Sequence, residues 1–521
     1  MKKYTIVLNF LLVSSILLRA NINVPDSLIS YYDITHTTKF EAQVVNRYIE
    51  SRIPEYFKLF LAPSEDIDSV KAEKYLNTFN IFYENLTSGK FLKFKPKRKI
   101  KTIYRTVHNK FLKKYELLTT FDKIFKNGEY NCVTASALYG VILHRLNIPF
   151  FIIETPIHVY IVSYPDKNRI KIESGGPYAG YFVYTQSLKR DYIEYYKRFR
   201  FIDEEEYSNS TIDDLFDKYY FSGNKISLEE LVGIHYLNIS VYNYLENKPD
   251  KGYNCLEKAY LFNPSEGTRI LLFNYLNYMV TSQEYDKLQD LNYLLKLSKF
   301  SYHPSVKETI ISEFLKITED NLINTSNTEY YDSVYNYLSE KIINAEYLKD
   351  IALIYNYEKG KFLFNNDDHI ESHDYFKTAL ELKFDNENVQ SLFMHSLKAM
   401  LNQYEISAAI EILETYSVQF QELLTIDDFI LLIMKSYLIA AFNSFESNNI
   451  TSGDEFLEKF ENLYKSNSEI VPEDQLIGEA YSAASVYFFK KGFYDKAKEY
   501  LIKGLNYAPE NKSLKIGISS F

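Results

Sequence analysis

Tyr130-Asn131-Cys132-Val133-Thr134-Ala135-Ser136-Ala137-Leu138-Tyr139-Gly140 is the stretch on which the fold of this chain turns. Gly128 and Asn131 suit a helix start just before Cys132, and a helical run Cys132–Leu146 follows. Small side chains at Ala135, Ser136, Ala137 and Gly140 would let that helix lie close against a sheet. Downstream the period changes. Ile148–Ile153 is apolar and β-branched or aromatic, and His158–Ser163 reads His-Val-Tyr-Ile-Val-Ser. Arg169–Glu173 alternates polar and apolar residues, as a half-exposed strand does. Tyr164-Pro165-Asp166-Lys167-Asn168 between the last two is turn chemistry. The expected order is helix, strand, strand, turn, strand.

This order brings three chemically useful groups toward one place. A thiol at a helix N-terminus feels the positive end of the macrodipole, which lowers its pKa and favours the nucleophilic thiolate. Cys132 has that position. His158 opens a strand next to a proline turn and can lean over the helix tip as a base. A third group should hold the imidazole by accepting its other N–H. Glu173 ends the following strand, and a hairpin around Pro165–Asn168 folds it back toward His158. The expected site is a Cys132–His158–Glu173 triad, with the Cys132 backbone N–H as one oxyanion donor.

The segment resembles the transglutaminase-like superfamily at Asn131-Cys132, Thr155-Pro156-Ile157-His158-Val159-Tyr160 and Ile172-Glu173-Ser174, and in Leu146-Asn147-Ile148-Pro149 after an Ala/Ser-rich helix. The resemblance covers about 60 residues of the domain that would contain them. It implies a papain-like α+β domain, with Cys132 as nucleophile, His158 as general base and acid, and Glu173 as the orienting carboxylate. Two positions depart from the family pattern. Glu173 stands where Asp is commoner, and Tyr160 where many members carry Trp. A catalytically inactive, scaffolding member is therefore the alternative reading.

The rest of the chain is helical in pattern. Residues 21 to about 125 hold amphipathic stretches such as Lys39–Glu50 and Lys99–Leu118. Residues 203–228 start Asp203-Glu204-Glu205-Glu206 and read as a polar loop. Beyond them the sequence repeats at one offset: Gly233 matches Gly478, Tyr236 Tyr481, Ser240 Ser485, Gly252 Ala497, Leu256 Leu501, Ala259 Gly504, and Pro264 Pro509. A third unit fits around Gly360, Ser372, Phe376 and Ala379, while roughly 285–350 and 385–470 are degenerate. Small residues where two helices touch, a bulky filler and a closing proline resemble the tetratricopeptide pattern. The expected organisation is a signal peptide at 1–20, a transglutaminase-like domain at 21–205, a linker at 206–228, and an all-α tetratricopeptide-type solenoid at 229–521.

The start of the chain supplies the export expectation. Lys2 and Lys3 precede an apolar stretch from Ile6 to Leu18, ended by Arg19, with Ala20 as a possible cleavage residue. An uncleaved anchor is the alternative, and no later stretch is expected to span a bilayer. A periplasmic or extracellular location follows. The chain has 521 residues and a net charge of −10 with both signs interspersed, which argues against a nucleic-acid partner. The basic run Lys93, Lys95, Lys97, Arg98, Lys99, Lys101 reads as a solvated helix start. The two cysteines, Cys132 and Cys255, make no disulfide framework, and Cys255 reads as a packing residue. His369 and His373 stand four apart but lack further ligands, and no phosphate loop or zinc pattern is present, so neither metal nor cofactor is expected. The combined expectation is an exported cysteine hydrolase, a peptidase or amidase, whose repeats hold a protein or peptide partner.

Overall fold

The computed structural model describes residues 34–521, apart from short segments at 156–157, 167–168, 174–180, 184–185, 187–188, 191–192, 195–196, 198–201, 221–222 and 301–302. The export signal expected at 1–20 lies outside the described residues, as do Ser174 and part of the turn at Pro165–Asn168. The chain divides into two compact units between Glu313 and Phe314.

In the first unit the helices Lys39–Ser51 (α1), Tyr56–Leu61 (α2), Ser69–Thr87 (α3) and Pro96–Phe111 (α4) precede a helix that is buried on every side, Cys132–Arg145 (α5). Val133 through Leu143 are all buried, as expected of a helix that is apolar all round. Its start is fixed by a capping box: Asn131 Oδ1 accepts from the Thr134 N–H at 2.8 Å, and Thr134 Oγ1 accepts from the Asn131 N–H at 2.9 Å. Its end is fixed by a left-handed residue, Asn147, with φ 51°. The Ile148 N–H reaches the Leu143 carbonyl and the Asn147 N–H the His144 carbonyl, each at 3.0 Å, which satisfies carbonyls the helix leaves open. Asn147 and Ile148 thus close the helix, and the strand expected from Ile148 begins at Phe150.

Among the described residues five strands form the main sheet. Phe150–Thr155 (β3), His158–Ser163 (β4), Ile170–Ile172 (β5), Tyr181–Val183 (β6) and Asn224–Ile226 (β7) lie in the order β6-β5-β4-β3-β7, each neighbour antiparallel. Helix α5 lies against β4, where Ser136 Oγ donates to the Val159 carbonyl at 3.5 Å. A separate two-stranded parallel pair joins Lys114–Tyr115 (β1) to Glu129–Tyr130 (β2). This pair corrects the helix expected over Lys99–Leu118. Helix α4 stops at Phe111, and the N–H groups of Lys113 and Lys114 turn to the carbonyl of Gly128, whose φ of 79° suits a residue without a side chain.

The described residues of the stretch expected as a linker at 206–228 form helices and a strand. These are Glu204–Asn209 (α6) and Ile212–Tyr220 (α7), then β7. Asp203 caps α6 by accepting from the Glu206 N–H at 2.7 Å, and carboxylates in a first turn complement the positive end of the helix. The four acids are a helix start. Leu215 and Phe216 of α7 are buried with Ile153, Tyr160 and Val162 of the sheet. Gly223 runs so close to β3 that a Cβ there would meet the Glu154 carbonyl oxygen at 2.3 Å.

The first helical hairpin, Leu228–Leu245 (α8) and Pro249–Phe262 (α9), also belongs to this compact unit. A Cβ on Gly140 of α5 would meet Leu228 at 2.6 Å. Tyr48 of α1 hydrogen-bonds Glu229. Lys258 of α9, fully buried, donates to the Thr35 carbonyl at 2.7 Å and pairs with buried Glu41 at 3.1 Å. Within α8–α9 the small residues meet as the repeat pattern demands, with Ser240 Oγ donating to the Gly252 carbonyl at 2.7 Å. The helices Glu266–Thr281 (α10) and Asn292–Ser298 (α11) follow.

The second unit is a row of helices. After Thr328–Lys341 (α12) come four successive pairs of helices: Ala345–Asn365 (α13) with His369–Leu382 (α14), Glu387–Leu401 (α15) with Ile406–Gln419 (α16), Asp427–Glu446 (α17) with Ile450–Ser466 (α18), and Asp474–Lys490 (α19) with Tyr494–Tyr507 (α20). Lys512–Ser519 (α21) ends the row. Ser372 Oγ donates to the Gly360 carbonyl at 2.9 Å, so α13 and α14 touch at small residues. Within 385–470, degenerate in sequence, α17 and α18 still pack as a hairpin, with Ala441 and Gly453 buried at the spacing of Gly360 and Ser372. Helices α15 and α16, with Leu397 and Ala409 at that spacing, do not close on each other in the same way. Among the described residues one helix, α17, is by length and composition apolar enough to cross a bilayer. This departs from the expectation of no further span. Phe429, Ile433, Met434, Leu438 and Phe445 are buried in the hairpin packing, while Ile439 is exposed.

Candidate active site

The three side chains expected to act together do meet. Cys132 is the first residue of α5, at the tip fixed by the Asn131–Thr134 capping box, and its side chain is half-buried. His158 opens β4. Its backbone is held by the closing pair of the β3–β4 hairpin, where Thr155 lies opposite His158 and Thr155 Oγ1 donates to the His158 carbonyl at 2.9 Å. Glu173 follows β5. The β4–β5 register pairs Ile161 with Ile172. Continued by one residue, it sets Glu173 opposite Tyr160 and diagonal to His158, within reach of a long side chain.

His158 stands between the other two. Its Nε2 lies 2.5 Å from Glu173 Oε1, and the imidazole also hydrogen-bonds the Cys132 thiol. With Nε2 engaged by the carboxylate, Nδ1 is the nitrogen left for the sulfur. The Cys132 contact first, then the Glu173 hydrogen bond, hold the imidazole protonated and push its pKa up to about 9 against the opposing effect of burial. Burial alone would raise the Glu173 pKa. The hydrogen bonds from His158 and Lys171 prevail and bring it down to about 2. Glu173 is thus a fixed anion and His158 a cation at neutral pH.

Two residues that sequence reasoning passed over complete the surroundings. Lys171 Nζ sits 2.9 Å from Glu173 Oε2 and 4.0 Å from the centre of the Tyr160 ring. The period of two in Ile170-Lys171-Ile172-Glu173 puts Lys171 and Glu173 on one face, a signal that was available. Tyr160 lies on the same face as His158, ring centres 5.9 Å apart. Tyr115 is the second omission. Its hydroxyl hydrogen-bonds both the thiol and the backbone of Cys132. Burial first, then the charge of Cys132, push the Tyr115 pKa up to about 12, so the hydroxyl keeps its proton. As part of an expected long helix Tyr115 had no visible link to Cys132. The parallel β1–β2 pairing creates that link.

Next to the helix tip lies a cavity of about 290 Å³ lined by Leu117, Thr119, Asp122, Asn131, Ile239 and Tyr242, among others. Asn131 Nδ2 donates to the Leu117 carbonyl at 3.1 Å and the Thr119 carbonyl at 3.4 Å. The residue that caps α5 ahead of Cys132 therefore also holds one wall of the opening. Cys255 is different in kind. It is buried in α9, and burial pushes its thiol up to about 12, which suits packing. His369 and His373 do not converge on a site. His373 is fully buried, with Nδ1 3.0 Å from Ser396 Oγ and Nε2 3.1 Å from the Tyr416 hydroxyl.

No family model matches the chain, and no curated protein matches it. Among solved structures, this chain is similar to a monomeric mutant of IFIT1 with m7Gppp-AAAA. Identity is 11%, the match covers 85% of this chain and 90% of that one, and the TM-score is 0.18. A second, an IFIT1 monomeric mutant with Gppp-AAAA, matches at 11% identity and a TM-score of 0.17 over the same shares. At such low scores the overall arrangements differ, and the reading of this chain rests on its own residues.

Proposed function

We propose that the chain is a transglutaminase-like thiol enzyme, a hydrolase or acyltransferase acting on a peptide or isopeptide carbonyl. The observation that carries the reading is His158 bonded on one side to the Cys132 thiol and on the other to Glu173 Oε1 at 2.5 Å. A nucleophile, a base and an orienting acid in contact at a helix tip form the arrangement that covalent acyl chemistry requires. In this reading Cys132 sulfur bonds to the carbonyl carbon and His158 gives its proton to the departing amine. Water, or a second amine, then releases the acyl group from sulfur while His158 takes a proton back. Tetratricopeptide-type hairpins would bind the protein or peptide partner. Export is part of the proposal and rests on Lys2, Lys3 and the apolar stretch Ile6–Leu18.

The test is selective alkylation. A thiol-directed electrophile is expected to label native protein at Cys132, to spare buried Cys255, and to abolish amidase or acyl-transfer activity. Cys132→Ala should lose both labelling and activity. Full activity in Cys132→Ala would end the proposal, and an unreactive thiol in the wild type would leave a scaffold.

A further inference from the structure

Tyr115 reaches the reacting atoms from a direction that neither His158 nor Glu173 uses. It ends β1, where it lies opposite Tyr130 in the parallel pairing with β2, and the Glu116 N–H bonds the Tyr130 carbonyl at 2.8 Å. The two tyrosine rings pack edge to face with centres 5.6 Å apart. Tyr130 is two residues before Cys132, so this pairing fixes the Tyr115 ring against the tip of α5. The ring remains 39% exposed, and the thiol is also partly open. The hydroxyl bonds two groups of one residue, the Cys132 side chain and its backbone. The backbone group available at a helix's first residue is its N–H, one of the donors a helix leaves without an internal partner.

That position has a chemical meaning if Cys132 attacks a carbonyl, and the inference rests on that reading. As sulfur bonds to the carbonyl carbon, the π pair moves onto the carbonyl oxygen. The oxyanion then lies beside both the sulfur and the Cys132 N–H. When it collapses, the pair returns to form C=O and the C–N bond breaks, its electrons leaving with the amine that His158 protonates. Donors aimed at the developing charge lower this barrier. We infer that Tyr115 is a catalytic residue, its hydroxyl the second oxyanion donor beside the Cys132 N–H. In the resting site the hydroxyl accepts from that N–H. In the intermediate the acyl oxygen takes the N–H and the hydroxyl turns its own proton to the same oxygen.

The experiment compares two reactions of the full chain in wild type, Tyr115→Phe and Cys132→Ala. Acylation by p-nitrophenyl acetate passes through an oxyanion, whereas alkylation by iodoacetamide is a displacement that forms none. Phenylalanine keeps the ring that packs on Tyr130, and thermal unfolding checks that the variant is folded. Wild type is expected to give a nitrophenolate burst that Cys132→Ala lacks. Tyr115→Phe should slow the burst about 10²-fold, the scale of losing one such donor, with iodoacetamide labelling unchanged. A burst equal to wild type in Tyr115→Phe overturns the inference and leaves the thiol-enzyme reading intact. Faster burst and labelling together overturn it in favour of a hydroxyl that shields the sulfur. An equal fall in both overturns it in favour of an effect on the thiol itself. No burst in the wild type removes the enzyme reading, and the inference with it.

Discussion

Glu173 divides its two oxygens between His158 at 2.5 Å and Lys171 at 2.9 Å, and this fixes the charge state of the site. The His158 pKa is raised to about 9, so the stability that protonation contributes is complete below the unfolded value near 6.5 and is lost as pH rises through about 9. The Glu173 pKa is lowered to about 2, so its contribution is present above the unfolded value of about 4.5 and is lost as pH falls toward 2. Acyl chemistry at Cys132 is therefore expected to persist through neutral pH and to decline as pH rises through about 9, where the imidazolium gives up its proton. In Glu173→Gln the alkaline decline should move to lower pH, because the anion that holds the proton is gone. A pH–rate profile checks this, and an alkaline limb that does not move would deny Glu173 its orienting role. The order Cys132, His158, Glu173 could be read in advance from helix, strand and turn signals. Tyr115 could not, since its contact with Cys132 depends on pairing between two-residue strands too short to leave a pattern.

At the level of elements, Asn131 and Lys258 carry more than their local roles. Asn131 caps α5 and holds the carbonyls of Leu117 and Thr119. Asn131→Ala should lower stability by about 1 to 2 kcal/mol, measured by denaturant unfolding. A stability within a few tenths of wild type would show that water replaces the cap. Lys258 is fully buried between Glu41 and the Thr35 carbonyl. Lys258→Met leaves Glu41 buried without its cation and should destabilise by about 3 to 5 kcal/mol. Adding Glu41→Gln should restore part of the loss, and a double variant no better than the single would refute the pairing. The element least legible in the sequence is 203–228. Its acids signal polarity, but Asp203 is a helix cap and Ile226 pairs with Ile152 across the sheet. Local composition does not distinguish a solvated loop from a capped helix feeding an edge strand.

Across the whole molecule, each unit buries a histidine that must stay neutral. His235 in the first unit has both ring nitrogens buried and without a hydrogen-bond partner, and burial lowers its pKa to about 4. His373 in the second is satisfied by Ser396 and Tyr416, and burial again lowers its pKa to about 4. For a depressed histidine the folded state binds the proton less readily than the unfolded chain. The contribution is therefore intact above pH 6.5 and is lost as pH falls toward 4. His235→Leu is expected to remove a share of this acid sensitivity, about 3 kcal/mol between those limits by linkage. Unfolding free energies at about pH 7 and about pH 4.5 would measure it, and an unchanged difference would mean that His235 finds a partner on protonation.

Sequence alone determined the features with short-range causes: the capped helix after Asn131, the strand His158–Ser163, the alternation in Arg169–Glu173 that holds the strand Ile170–Ile172, and the spacing of small residues that lets helices of a hairpin touch. Each is fixed by neighbours within a few residues or by one repeated period. Tertiary structure decided the rest. It joined 203–228 and the first hairpin to the sheet's own unit, packed the helices of 385–470 into the row, and brought Tyr115 to Cys132. Those outcomes depend on apolar area buried between distant segments and on backbone groups paired across them, and no local pattern records which partners will meet.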